Sequence, residues 1–83
     1  SRAHRALVTS LECALADILG GVLDSVALGA DDDFFACGGD SVLATQAVSR
    51  IRTWLDTSTV AVADIFGART VSALAERLTA RDE

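Results

Sequence analysis

The sequence of 83 residues contains no proline and no lysine, and aromatic side chains make up only 5% of it. Because 51% of the residues are nonetheless hydrophobic, the core has to be formed by leucine, valine, isoleucine and alanine. A core of aliphatic side chains in a chain without proline favours helices over sheets. We therefore predict an all-α fold.

Long hydrophobic runs and a cysteine framework are also missing. Every apolar run is broken by Asp, Arg or Thr well before the roughly 20 residues that a membrane span requires, so we expect no membrane span. The two cysteines are too few for a disulfide framework, and no secretory signal precedes the first apolar segment, which indicates a cytoplasmic protein. We expect Cys13 to be exposed and Cys37 to be a small buried hydrophobic residue.

Positive charge is scarce, and the formal net charge is −5. The acidic excess lies in residues 24–40, which contain no basic residue, while the other seven acidic residues balance the seven arginines. The chain has no basic stripe to neutralise phosphates, so we expect no nucleic-acid binding. Its length suffices for one small domain, residues 1–83, and its start at Ser1 rather than at methionine suggests excision from a longer polypeptide.

Apolar periodicity predicts four helices, three longer and one short, with a long first loop. Their expected spans are 5–19, 41–55, 60–66 and 71–80. Gly20 and Gly21 are expected to end the first helix, since glycine adopts the left-handed conformation of a helix C-terminus without steric cost. Asp40 is the expected N-cap of the second helix, and Thr70 caps the last one. The long loop must be held to the core by its phenylalanines, residues 34–35.

The most distinctive segment places Ser41 at the start of the predicted second helix, directly after two glycines and an aspartate. Its hydroxyl would lie near free backbone N–H groups and the positive end of the helix macrodipole, an environment that favours a phosphate ester. A catalytic serine is disfavoured, because the only histidine is His4 and the Gly-x-Ser-x-Gly turn of hydrolases is absent. Residues 31–33 lack the ligand spacing of a calcium-binding loop, so we expect no metal site.

Three segments match a known family pattern. Residues 32–42 fit D-x-F-F-x-x-G-G-x-S-[LIV], residues 64–66 fit D-[LI]-F, and residues 70–75 fit T-[VI]-x-x-L-A. With these motifs the sequence resembles, from about Leu7 to Leu78, the peptidyl carrier (thiolation) domains of nonribosomal peptide synthetases. The resemblance implies a small four-helix carrier-protein bundle. The chain departs from the family at 57–61, where relatives commonly read G-[VI]-x-[LI]-P, so the geometry of that loop is left open.

The resemblance implies that Ser41, flanked by Gly38, Gly39 and Asp40, is esterified with 4′-phosphopantetheine from coenzyme A by a separate phosphopantetheinyl transferase. The thiol of this arm would carry aminoacyl or peptidyl thioesters to adenylation, condensation or cyclisation, and thioesterase domains. The isolated chain would be a non-catalytic monomer, and its parent polypeptide a multidomain peptide synthetase. Its arginine-only basic residues and its Gly-Gly-Asp-Ser-Val variant resemble actinobacterial siderophore synthetases of the mycobactin type.

Partner domains are expected to contact the apolar surface around the serine, on the outward side of the second helix and on the short third helix. The candidate interface residues are Val42, Thr45, Ala63, Ile65 and Phe66. Two other interpretations stay open. An acyl or aryl carrier of polyketide or siderophore synthesis shares the Asp-Ser-[LIV] core, although residues 42–55 contain no acid, unlike fatty-acid carriers. In a different class, the chain would be an unmodified helical interaction module.

Overall fold

In the computed structural model, the described residues are 2–24, 28–56 and 58–81, with side chains from Val8 onward. They form four helices: α1 (Arg2–Val22), α2 (Ser41–Leu55), α3 (Val62–Ala68) and α4 (Val71–Arg81). Both α1 and α3 pack against α2 and α4. The prediction of an all-α bundle with three longer helices, one short helix and a long first loop is confirmed. Residues 25–27 of that loop, Thr57 and the His4 side chain lie outside the described part.

The core lies where the apolar faces of the helices meet. Its largest fully buried side chains come from all four helices and from both longer loops; they are Phe34, Leu15, Leu19, Ile51, Ile65, Leu74, Val60 and Val71. Phe34 is 0% exposed, and burying such a ring contributes about 2–3 kcal/mol. The prediction that Phe34 anchors the long loop is therefore confirmed.

The N-terminal caps of α2 and α4 are the residues expected from the sequence, Asp40 and Thr70. Asp40 has extended backbone geometry, and its side chain accepts a hydrogen bond from the Leu43 N–H at 2.9 Å. Thr70 Oγ1 accepts a hydrogen bond from the Ala73 N–H at 3.1 Å. Each side chain thus satisfies one of the backbone donors that a helix N-terminus leaves unpaired, and both predicted caps are confirmed.

The predicted end of α1 at Gly20 and Gly21 is wrong, because the helix continues to Val22. Val22 is buried, with 7% of it exposed, so the extra residues bring an apolar side chain into the core. Two glycines in a helix cost about 1 kcal/mol each, and burial of Val22 offsets most of that cost. The left-handed residue that follows the helix is Asp24, with a φ of 55°.

The short helix α3 begins at Val62, two residues later than the sequence suggested, and includes Gly67. Val60 is 0% exposed and belongs to the extended segment before the helix. The helix starts where Asp64, its third residue, accepts a hydrogen bond from the Ala61 N–H at 2.9 Å. This hydrogen bond, from the backbone N–H of the residue before the helix to a side chain of the first helical turn, fixes that turn.

The loop between α2 and α3 lacks the glycine and proline of the family pattern, and two arginines hold its backbone instead. Arg52 Nε donates to the Val60 carbonyl at 2.6 Å, and Arg81 Nη1 donates to the Thr59 carbonyl at 3.0 Å. The two donors come from α2 and α4, so this segment is tied to both long helices. Charged donors form stronger hydrogen bonds than neutral ones, so both bonds help to fix the backbone of this loop.

Arg81, the last residue of α4, also connects this helix to α3 through an ion pair with Asp64, which is only 3% exposed. The guanidinium of Arg81 donates to both carboxylate oxygens, and Arg77 Nε lies 3.3 Å from the same carboxylate. The hydrogen bonds from Arg81 lower the pKa of Asp64, with help from the Ala61 N–H and the charge of Arg77, and together they outweigh the raising effect of burial. Asp64 is therefore a charged group inside the bundle, and its position fixes that of α3.

Candidate functional site

Ser41 is the first residue of α2, and its side chain is exposed. The first backbone N–H bond of the helix is made by Ala44, which donates to the Asp40 carbonyl at 2.8 Å. The N–H groups of Ser41 and Val42 therefore precede the helical ladder, and the positive end of the helix macrodipole lies at the serine. A phosphate ester on Ser41 Oγ would meet backbone donors and a favourable dipole, so the site fits an anionic substituent.

A tight turn over residues 33–39 leads into this helix, and it is organised by Asp33. The Asp33 carboxylate accepts hydrogen bonds from the N–H groups of Phe35 at 2.8 Å and Ala36 at 3.2 Å. Its backbone carbonyl accepts one from Cys37 at 3.0 Å. The turn is thus fixed by local hydrogen bonds from one aspartate, as is typical of short aspartate-initiated turns.

The two glycines before Ser41 have different roles. Gly38 has a φ of 112°, a region that residues with a Cβ rarely adopt, and open space surrounds the position where a Cβ would lie. Gly39 is restricted by packing, because a Cβ there would lie 2.7 Å from the carbonyl oxygen of Phe34 and also against its ring. The glycine pair of the motif therefore has a physical basis at both positions: Gly38 needs the backbone freedom of glycine, and Gly39 needs its small size.

The aromatic residues of the turn connect it to α3. The Phe35 ring meets the Phe34 ring edge-on, with centroids 5.2 Å apart. On its other side it stacks on Phe66 of α3, with centroids 4.7 Å apart and planes inclined by 14°. Offset and edge-on pairs of this kind are favourable arrangements of aromatic rings. Phe35 therefore bridges the buried loop anchor and the exposed edge of α3.

Arg69, which follows α3, closes the same cluster and was not predicted from the sequence. Its Nε donates to the Asp33 carboxylate at 2.7 Å, and its guanidinium lies over the Phe35 ring, 5.0 Å from the centroid. The hydrogen bond from Arg69 lowers the pKa of Asp33, and the N–H groups of Ala36 and Phe35 add to this effect against a smaller raising effect of burial. The pair joins residues 36 positions apart, so helical periodicity gives no signal for it.

The backbone at Arg69 is strained. Its φ is 69° and its ψ is −32°, and the Thr70 N–H donates to the Ala68 carbonyl at 2.8 Å, which closes a γ-turn around Arg69. A residue other than glycine in such a conformation costs about 1–3 kcal/mol. The Arg69 N–H and carbonyl are both paired, with the Ile65 carbonyl at 2.9 Å and with the Phe34 N–H at 2.8 Å. These bonds, together with the side-chain contacts, hold the strained residue in place.

Four of the five candidate interface residues are exposed, and one is buried. Val42 is 64% exposed and Phe66 44% exposed, and Thr45 and Ala63 also lie on the surface. Thr45 Oγ1 donates back to the Ser41 carbonyl at 2.8 Å, so it lies one turn from the serine. Ile65 does not belong to this surface, because it is 2% exposed and packs in the core. Its assignment to the interface is corrected here.

Both cysteines and the tryptophan of the chain lie on the surface. Cys13 is exposed as expected, but the expectation that Cys37 is buried is wrong. Cys37 lies in the exposed part of the turn, while the side chains that reach the core there are those of Phe34 and, in part, Phe35. Trp54, at the far end of α2 from Ser41, is 52% exposed.

None of the helices in the described ranges is long and apolar enough to cross a membrane.

The family of phosphopantetheine attachment sites matches residues 10–78, and the chain belongs to this family. The chain is 63% identical over all of its 83 residues to the phenyloxazoline synthase MbtB of Mycolicibacterium paratuberculosis, and it spans only 7% of that relative. The family attaches 4′-phosphopantetheine, and the exposed hydroxyl at the N-terminus of α2 fits that group.

Solved structures agree with the family on fold. BlmI, a type II acyl carrier protein from Streptomyces verticillus, superposes with a TM-score of 0.93 at 26% identity, covering 99% of this chain and 98% of that one. A nonribosomal peptidyl carrier (PCP) domain has a TM-score of 0.71 at 38% identity, covering 80% and 83%. The McyG A-PCP structure complexed with phenylalanyl-adenylate has a TM-score of 0.75 at 26% identity, covering 82% and 10%. The chain is thus a carrier domain of the nonribosomal peptide synthetase type.

Proposed function

We propose that Ser41 is the residue that receives 4′-phosphopantetheine, and that residues 1–83 form one carrier domain of a longer synthetase. In the transfer, Ser41 Oγ attacks the coenzyme A phosphorus next to the pantetheine, the bond to 3′,5′-ADP breaks, and the serine proton leaves to a base of the transferase. The observation that carries this proposal is the exposed hydroxyl at the N-terminus of α2, beside backbone N–H groups outside the helical ladder.

The arm supplies a thiol that holds aminoacyl or peptidyl groups as thioesters, and this chain supplies a fixed point for it. A nucleophilic serine enzyme needs a base within hydrogen-bond reach of its hydroxyl. The described polar neighbours of Ser41 have other roles, since Asp40 caps α2 and Thr45 donates to the Ser41 carbonyl. The chain is therefore a carrier that does no catalysis itself, within a parent polypeptide that is a multidomain peptide synthetase.

The identity to a phenyloxazoline synthase supports a more specific assignment. The parent polypeptide belongs to siderophore biosynthesis of the mycobactin type in an actinobacterium, and works in the cytoplasm. Its carrier meets a phosphopantetheinyl transferase, an adenylation domain, a condensation or cyclisation domain and a thioesterase, and as an isolated domain it is monomeric. The surface that these partners read includes Val42, Thr45, Ala63 and Phe66, which lie on the exposed sides of α2 and α3.

The direct test is to incubate the chain with coenzyme A and a broad-specificity phosphopantetheinyl transferase, and to measure the intact mass. We expect a gain of one phosphopantetheinyl group in the wild type and none in Ser41→Ala. Ser49→Ala is the matched control, because Ser49 is also exposed on α2 but lies two turns away. A folded wild type that gains no mass would show that the chain is an unmodified interaction module.

An acyl carrier is the second candidate, favoured by the close superposition on BlmI. Against it stands the charge of α2, where Arg50 and Arg52 are exposed and no acid occurs. Once modified, the chain can be offered to adenylation enzymes that activate amino acids or aryl acids, and to fatty acyl transferases. Loading with amino acids alone supports the peptidyl carrier, whereas loading with fatty acyl groups alone supports the acyl carrier.

A further inference from the structure

We infer that Arg69 is a positioning residue for the modification of Ser41, because its side chain ties the turn that leads into α2 to the exposed edge of α3. The inference rests on the proposed modification of Ser41. Arg69 lies outside the family motifs identified in the sequence, and its side chain does not belong to the attachment segment itself.

The first part of the argument is a continuous chain of contacts from Arg69 to the serine. Arg69 Nε holds the Asp33 carboxylate at 2.7 Å, and that carboxylate holds the Phe35 and Ala36 N–H groups. The turn then closes through the Gly39 N–H, which donates to the Phe34 carbonyl at 3.0 Å. The next residue along the chain is the N-cap of α2, and Ser41 follows it.

The second part concerns α3. The Phe35 ring contacts both the Arg69 guanidinium, 5.0 Å from its centroid, and the Phe66 ring, whose centroid is 4.7 Å away. Phe66 is 44% exposed and stands on the candidate docking surface. Arg69 therefore contacts the turn that sets the Ser41 position directly, through Asp33 and Phe35, and it is linked through the Phe35 ring to Phe66, which α3 presents on the docking surface.

The third part is the strained backbone. Among the described residues, three other than glycine have positive φ: Asp24, Asp56 and Arg69. Aspartate tolerates this region better than most residues, whereas a long cationic side chain has no such advantage. Glycine would remove the strain at position 69, so the energetic cost of arginine there indicates that its side chain is needed. An outlier of this kind at a site boundary is a reason to look for a functional constraint.

The consequence for the reaction is specific. A transferase that docks on α2 and α3 needs the Ser41 hydroxyl at a fixed distance from that surface, and small misplacements of a reacting group lower the rate of the chemical step strongly. Without the Arg69 side chain, the surface is retained, and the turn keeps its Phe34 backbone bond and its ring contacts but loses the ion pair at Asp33, so its far side can shift relative to the surface. We therefore expect the turnover number kcat for loading to fall about tenfold, with a smaller change in KM.

The experiment measures kcat and KM of phosphopantetheinyl transfer to Arg69→Gln, Arg69→Lys and Arg69→Gly, with thermal unfolding of each. Arg77→Gln is the matched control, because it removes the same charge from an ion pair, with Asp64, away from the serine. We expect Arg69→Gln and Arg69→Gly to lose kcat, Arg69→Lys to recover much of it through the ion pair with Asp33, and Arg77→Gln to load like the wild type.

Arg69→Gly separates positioning from stability. It relieves the strained φ, so it should unfold at or above the temperature of Arg69→Gln while loading no faster. If loading follows the unfolding temperature across the set, or if Arg69→Gln loads as fast as Arg77→Gln, Arg69 has only a structural role and the inference is wrong. A folded wild type that is not modified at all would instead overturn the proposed function.

Discussion

Replacing Gly39 with alanine is the sharpest test of how the attachment site is built. A Cβ at this position would meet the Phe34 ring and lie 2.7 Å from the Phe34 carbonyl oxygen. The ring cannot move aside easily, because Phe34 is 0% exposed in a packed core. The carbonyl is part of the backbone, and it already accepts the Gly39 N–H at 3.0 Å, so relief requires the turn itself to open.

The expected cost follows from these contacts. Overpacking a closed site costs about 1–3 kcal/mol, and distortion of the Gly39 hydrogen bond adds about 1 kcal/mol. The reduced entropy of the unfolded alanine chain returns about 0.4–1 kcal/mol. The net destabilisation is therefore about 1–3.6 kcal/mol, with a centre at about 2 kcal/mol, and this central value corresponds to a melting temperature lowered by about 8–16 °C for a domain of this size.

Thermal unfolding followed by far-ultraviolet circular dichroism measures this change, and Gly21→Ala provides the control. A Cβ at Gly21 would meet only the tip of the flexible Arg50 side chain, at 3.3 Å, and the residue lies within α1. Alanine there should raise stability by up to about 1 kcal/mol, because it is the better helix former. Equal melting temperatures for Gly39→Ala and the wild type would refute the packing argument for Gly39.

Three further predictions concern single residues of the site and of its support. Val42→Asp should slow loading by the transferase without lowering the melting temperature, because Val42 is 64% exposed beside Ser41; unchanged kinetics would remove it from the interface. Asp40→Ala should lower the free energy of unfolding by about 1 kcal/mol, as measured by urea denaturation, because the Leu43 N–H loses the side chain that caps it. The lowered pKa of Asp64 makes its stabilisation complete above its ordinary value of 3.8 and lost as the pH falls through the folded-state pKa. Asp64→Asn should therefore have a lower free energy of unfolding than the wild type at neutral pH. Its free energy of unfolding should also fall less than that of the wild type as the pH is lowered, which urea unfolding at several pH values between about 2 and 6 would measure.

The parts of the site that the sequence predicted are those fixed by neighbours along the chain. The position of Ser41 follows from the Asp40 cap, whose partner is three residues away, and from the apolar rhythm of α2. The two glycines before it were recognised through the family motif, and they lie in a turn that closes within seven residues. Local hydrogen bonds of this kind depend on sequence order alone, so they can be inferred before the fold is known.

The parts that the sequence missed depend on which elements meet in space. The pairing of Asp33 with Arg69 spans 36 positions and involves no repeating pattern. The burial of Ile65 and the exposure of Phe66 could not be ordered in advance, because a helix of 7 residues has too few turns to define a face. At Gly20 the local preference for a helix end is real, but tertiary packing of Val22 outweighs it.

The departure of this chain from its family at residues 57–61 bears directly on the geometry of α3 and lies outside the Ser41 motif. The Val60 and Thr59 carbonyls accept bonds from Arg52 and Arg81, so arginines of α2 and α4 fix a loop that relatives restrict with glycine and proline. Arg81 also holds Asp64, so the same side chain sets the start of α3. The serine end of α2 is preceded by the turn at residues 33–39, which meets α3 and the residue that follows it through the Phe35–Phe66 stack and the Arg69–Asp33 ion pair. Changes in the loop therefore act first on α3 and on the way it presents Phe66, and they reach the hydroxyl that receives the arm only through these contacts.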